Sequence, residues 1–203
     1  MREWLVAGGL VENRDGLLLV QNRRRDGSLD WSPPGGVIDV SGGESVRVGL
    51  SREVDEETGL LVDEWAGPVY QVEALAERLG WLLRVEVHRA LSYSGELAVN
   101  DPDGIVVDAR FVPWDDAELH LEGCRRWVAE PLVAWLAERQ PAGEAGPGAA
   151  PAQEAGPGAA PALEAGPGGA PARGADPGPG RGDRSYRYRL EGDDARRLEV
   201  VRL

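Results

Sequence analysis

Residues 52–59 read Arg-Glu-Val-Asp-Glu-Glu-Thr-Gly, which puts four carboxylates (Glu53, Asp55, Glu56 and Glu57) into five consecutive positions. Like charges crowded on a helix destabilise it by a few tenths of a kcal/mol per pair, so the cluster needs a reason. On a helix, Glu53, Glu56 and Glu57 are related by i, i+3 and i+4 and share one face within about 100°. Hard divalent cations such as Mg2+ or Mn2+ take oxygen ligands of this kind and keep coordination positions for water and phosphate. The plain alternative is a solvated acidic helix face. Three neighbours favour the cation: the cluster lies near a helix end, where the dipole disfavours anions; Arg52 stands directly beside it; and a proline- and glycine-rich loop upstream lets backbone approach a ligand closely.

The surrounding pattern supplies the elements that hold these residues. From Glu44 to Thr58 the pattern is helical, with Val46, Leu50 and Val54 on one stripe, and Gly59 stands where a helix C-cap needs a left-handed residue. Upstream, "SPPGG" (32–36) fixes a bend. Before it, "EWLVAGGLVEN" and "GLLLVQNRR" read as two strands of a hairpin around a turn at Asn13 to Gly16. Apolar runs at 60–62, 69–75, 81–91 and 105–112 read as further strands. A closing amphipathic helix, "CRRWVAEPLVAWLAERQ", carries Trp127, Leu132, Trp135 and Leu136, with a kink expected at Pro131. Strands mixed with two helices imply an α/β sandwich with helices covering a mixed sheet.

The chain of 203 residues divides into three parts. Residues 1–140 read as globular and large enough to bury a core without staples. Residues 141–182 change to a ten-residue repeat rich in proline, glycine and alanine, expected to be a disordered, extended linker. Residues 183–203 regain pattern: Tyr186, Tyr188 and Leu190 alternate with arginines, so this short segment forms a hairpin that docks somewhere or stays a loose tail. A formal net charge of -13 argues against an extended nucleic-acid surface. Cys124 is the only cysteine, and no run reaches the length of a membrane span. With no cleavable leader pattern at the start, the expected location is the cytoplasm.

From Gly36 to Leu60, "GVIDVSGGESVRVGLSREVDEETGL" closely resembles the Nudix box. Glu44 is followed after seven residues by Arg52 and Glu53. Val54 through Leu60 then complete the series of an apolar residue, any residue, two glutamates, any residue, glycine and an apolar residue. One departure stands out. Seven residues separate Gly36 from Glu44, where the family has five, so the loop before the helix is longer by two while the helix register is kept. The flanks "DWSPPGG" and "DARFVPWDDAEL" are similar to the family's lead-in and to the strand before its last helix.

The resemblance implies a Nudix-type α/β/α sandwich with a mixed sheet and hydrolysis of a nucleoside diphosphate linked to another moiety. The implied cofactor is Mg2+ or Mn2+, held by Glu53, Glu56, Glu57 and the Gly36 carbonyl. Arg52 would tie the carboxylates together with Glu44. An additional acid, Asp103 or Asp108, lies where the family often has one; turn and strand-end roles are the alternatives for these two.

Arg23, Arg24 and Arg25 either meet substrate phosphate or form an exposed loop. Arg84, Glu86 and His88 share a strand face that lines the cleft or faces solvent. Trp31 either stacks on a base or packs in the core. The expected partner is a small nucleotide, with no membrane, and a homodimer is left open. The signatures of ADP-ribose and dinucleoside polyphosphate hydrolases are unmet at Ala76 and Glu77, while sanitation of an oxidised nucleoside triphosphate and cleavage of a nucleotide sugar both stay open. The competing reading is a nucleotide-sensing or adaptor protein on the same scaffold. Retention of all three glutamates favours the enzyme.

Overall fold

A computed structural model of the chain describes residues 1–139, 184–192 and 198–203. The repeat expected to form a linker lies outside the described residues. The order is β1 (Arg2–Leu10), β2 (Gly16–Arg23), β3 (Leu29–Ser32), β4 (Gly35–Val37), α1 (Val46–Thr58), β5 (Leu60–Ala76), β6 (Trp81–Gly95), β7 (Val106–Pro113), α2 (Ala117–His120), α3 (Arg126–Arg139), β8 (Ser185–Glu191) and β9 (Glu199–Arg202).

These strands form two sheets among the described residues. One is mixed and six-stranded, in the order β4-β1-β6-β5-β8-β9; the other is β3-β2-β7. The expected hairpin of the first two strands is therefore corrected. The chain does turn at Asn13, whose Oδ1 accepts from the Asp15 and Gly16 N–H groups. Yet β1 and β2 share only a bridge at Glu12 and Leu17 before entering different sheets. Leu17 to Leu19 are wholly buried in sequence, with Leu18 facing one core and Leu17 and Leu19 the other. β1 is already paired with β4 on one side and β6 on the other, so neither of its edges is open to β2.

The two cores place a helix on each side. Leu50 and Val54 of α1 pack with Ala7, Val11, Leu18, Ile38, Leu60 and Trp65, each contributing roughly 1.5–3 kcal/mol by leaving water. On the other side, Leu132, Trp135 and Leu136 of α3 join Tyr70, Val72, Ala74 and the docked Tyr186, Tyr188 and Leu190. The helix runs on through Pro131, which leaves the Trp127 carbonyl without its usual donor but does not end the helix. Two apolar runs expected as separate strands join in β5, with register shifts between Val62 and Tyr70. Among the described residues no helix is long and apolar enough to cross a membrane.

Candidate active site

The helix that carries the acids is fixed at both ends. Ser45 Oγ accepts from Val48 N–H at 3.4 Å, and Gly59, at φ 72°, closes the helix with its N–H on the Asp55 carbonyl. Trp65 Nε1 donates to Ser51 Oγ at 2.9 Å and pins the middle of α1 to β5. The acidic face is then held against β4. Gly35 N–H donates to Glu57 Oε2 at 2.7 Å. Gly35 sits at φ 146°, and a Cβ there would overlap the Ala7 carbonyl, so there is no room for a side chain. Gly36 faces Glu53 so closely that a Cβ would overlap the carboxylate.

Arg52 ties three of the glutamates together. Its Nε and Nη2 donate to Glu44 Oε1 and Oε2 at 3.0 and 3.2 Å, while Nη1 reaches Glu53 Oε1 at 2.9 Å and Glu56 Oε2 at 3.0 Å. These contacts hold the Glu44 carboxyl below the usual range, chiefly through Arg52. Glu53 is raised by burial, with Arg52 working against the shift. Glu57 is buried deeper, and loss of water pushes its carboxyl up to about 8, against the Gly35 bond, with the charges of Glu53, Asp101 and Glu56 adding to the rise.

A folded-state value above the unfolded one means that ionising Glu57 costs stability. The metal-free protein is therefore expected to gain stability as pH falls from about 8 toward the ordinary carboxylate range, by up to roughly 4 kcal/mol. Urea denaturation in a chelating buffer at pH 8 and pH 5.5 measures this, and Glu57→Gln should flatten the difference.

The loop after β6 crosses the C-terminal end of α1. Ala98 N–H donates to the Thr58 carbonyl at 2.9 Å and Asn100 N–H to the Glu56 carbonyl at 3.3 Å. Asp101, which the sequence reading passed over, shapes this loop: its carboxylate accepts from the N–H groups of Asp103, Ile105 and Val106. The Asp-Pro-Asp-Gly turn composition was the available signal. Asp103, also in the loop, contributes its charge at Glu53.

Asp108 lies on β7 opposite Gln21 and pairs with Arg110. Glu86 stands in the cross-strand row Gly36–Ala7–Glu86 and lies 3.3 Å from His88 Nε2. Arg84 pairs with Glu3 at 3.3 Å and Glu73 at 3.6 Å. Arg23 and Arg25 are exposed at the end of β2 and in the turn beyond it, in the other sheet. Arg24 instead grips Asp30. Trp31 is half-buried, beneath the Arg110 guanidinium at 4.9 Å.

Among the described residues no three acidic, histidine or cysteine groups converge on one point; Glu53 and Glu56 each turn one oxygen to Arg52, and Glu57 turns one to Gly35. The donor chemistry nevertheless fits a hard divalent cation. Two carboxylates made costly by burial face a glycine backbone, with a third beside them, and this donor set is made of oxygens.

Comparison with known proteins places the fold and the family. A search of curated proteins finds no match. Among solved structures, the chain is similar to the E. coli ORF135 protein (TM-score 0.55, 20% identity, 70% of this chain and 96% of that one). It is also similar to a MutT NUDIX hydrolase from Burkholderia pseudomallei (0.50, 22%, 62% and 100%) and to the MutT protein from Methanosarcina mazei Go1 (0.52, 18%, 69% and 97%). At such identities these likenesses speak for the fold. The model of the NUDIX domain matches residues 3–136, a span that includes every glutamate of the acidic face, and the chain belongs to the NUDIX domain family as a Nudix hydrolase.

Proposed function

We propose that the protein hydrolyses a pyrophosphate bond in a nucleoside diphosphate linked to another moiety, with Glu53, Glu56, Glu57 and the Gly36 carbonyl holding Mg2+ or Mn2+. A bound divalent cation would neutralise phosphate charge and acidify a water. The observation that carries this reading is Glu57. A carboxylate buried beside Glu53 and Glu56, at a cost to folding, has a use when a cation compensates all three.

The chain's own groups then have defined work. Arg52 keeps Glu53 and Glu56 at fixed spacing, and Glu44 keeps Arg52 in plane. Glu57 must lose its proton to bind a cation, so metal affinity should rise with pH. For proton removal from water, Asp103 is favoured over Asp108, since Asp103 lies in the loop bonded across the C-terminal end of α1 whereas Asp108 is engaged by Arg110. Glu86, in the cross-strand row with Gly36 and Ala7, offers the substrate a polar contact, and the exposed Arg23 and Arg25 meet phosphate from the neighbouring sheet. The lone Cys124 is a free thiol that suits a reducing compartment, and we assign the reaction to the cytoplasm.

Oxidised nucleoside triphosphates and nucleotide sugars are the substrate classes to test first. A chromatographic assay of such a panel with Mg2+ tests the reading. Turnover of at least one compound, abolished by chelator, is expected; retained nucleotide binding without turnover on any of them would favour a sensor.

A further inference from the structure

Two features ahead of and inside α1 determine how Glu44 meets Arg52. Residues 39–43 close into a tight turn: Asp39 Oδ1 accepts from Ser41 Oγ at 2.7 Å and from Gly42 N–H at 2.9 Å. With the turn closed, the Asp39 main-chain N–H donates to Glu44 Oε2 at 3.0 Å, and the Asp39 carbonyl accepts from Glu44 N–H at 3.1 Å. The segment 37–43, two residues longer than the family spacing, is what makes this turn.

The second feature is Gly49. A Cβ at this position would come within 2.6 Å of Glu44 Oε2 and 2.7 Å of Ile38 Cδ1. Glycine inside a helix is destabilising relative to alanine, so its use there calls for a local cause. The close pass of the Glu44 carboxylate is such a cause.

We propose that Asp39 and Gly49 are positioning residues for the metal-binding glutamates, acting through Glu44 and Arg52. The proposal rests on the reading of the acidic face as a divalent-cation site. With Nε and Nη2 both committed to Glu44, the guanidinium plane is fixed and Nη1 is left facing Glu53 and Glu56 together. If the Asp39 turn opens, or a methyl at 49 displaces Glu44, the fork loses its anchor and the two carboxylates lose their common tether. Loss of an outer partner of a metal ligand typically weakens metal binding by about 10–100-fold.

The test uses the full chain and Mn2+ alone, its affinity read by electron paramagnetic resonance, beside thermal denaturation of the metal-free protein. Asp39→Ala and Gly49→Ala should each weaken Mn2+ binding by about tenfold. Asp39→Asn, which keeps an acceptor for Ser41 and Gly42, should bind like the wild type. Gly49→Ala should hold its Tm to within a few degrees while losing affinity, a separation that a purely structural role would not produce. Should Gly49→Ala fail to fold, Asp39→Ala against Asp39→Asn decides alone. Wild-type Mn2+ affinity in Asp39→Ala would overturn the proposal and leave the metal site standing. A wild type that binds no Mn2+ would overturn both.

Discussion

Replacing Glu56 and Glu57 together by glutamine is expected to cut kcat by about 10³-fold at saturating Mg2+, while raising the stability of the metal-free protein at pH 8. The two effects share one cause. Glutamine fills the same space and can still accept from Gly35 N–H, which lies 2.7 Å from Glu57 Oε2, so the fold is kept. It carries no charge, so the burial cost that pushes the Glu57 carboxyl up to about 8 disappears. What is lost is two of the three anionic oxygen donors for a cation. A metal ion typically supplies several kcal/mol of charge stabilisation in phosphoryl transfer, and about 1.4 kcal/mol corresponds to tenfold in rate. Steady-state kinetics with the best substrate of the panel measure the first effect, and urea melts in chelator measure the second. Turnover and Mg2+ affinity both at wild-type level would remove the acidic face from the chemistry.

That opposition between stability and activity explains why this part of the molecule was legible from sequence. Local choices around α1 agree with one another, Ser45 and Gly59 at its ends and Leu50 and Val54 on the buried stripe, except for four carboxylates where like-charge repulsion and the helix dipole would not put them. A violation of local preference inside an otherwise consistent helix is a functional signal.

The strand partners were not legible in this way. Alternation marks Tyr186, Tyr188 and Leu190 as one face of a strand, but nothing local says that the strand runs parallel to β5, over a hundred residues earlier. Likewise, Leu17 to Leu19 could be read as buried, but their split between two cores depends on tertiary packing. Asp101 shows the limit at the site itself. Its turn could be read from Asp-Pro-Asp-Gly, but its position over the end of α1 rests on backbone bonds from Ala98 and Asn100 that any residue could make.

The docked C-terminal strand carries the other large expectation: Tyr188→Ala should lower the Tm by roughly 10 °C or more. Tyr188 is only 1% exposed and is among the largest wholly buried side chains. Its ring lies in the core that also holds Tyr70, Val72, Ala74, Leu132 and Trp135, and its hydroxyl donates to Glu130 Oε2 of α3 at 3.0 Å. Removing a buried aromatic ring costs about 3–5 kcal/mol, and each kcal/mol is worth roughly 2–4 °C in a domain of this size. Arg189 is the internal control. It is the next residue along β8, exposed on the opposite face, and Arg189→Ala should change stability by less than about 0.5 kcal/mol. β8 and β9 lie at the far end of the sheet from β4, which holds the acidic face. Tyr188→Ala should therefore leave Mn2+ affinity at 25 °C unchanged while the protein remains folded. Equal melting temperatures for Tyr188→Ala and Arg189→Ala would mean that this strand does not complete the core in solution.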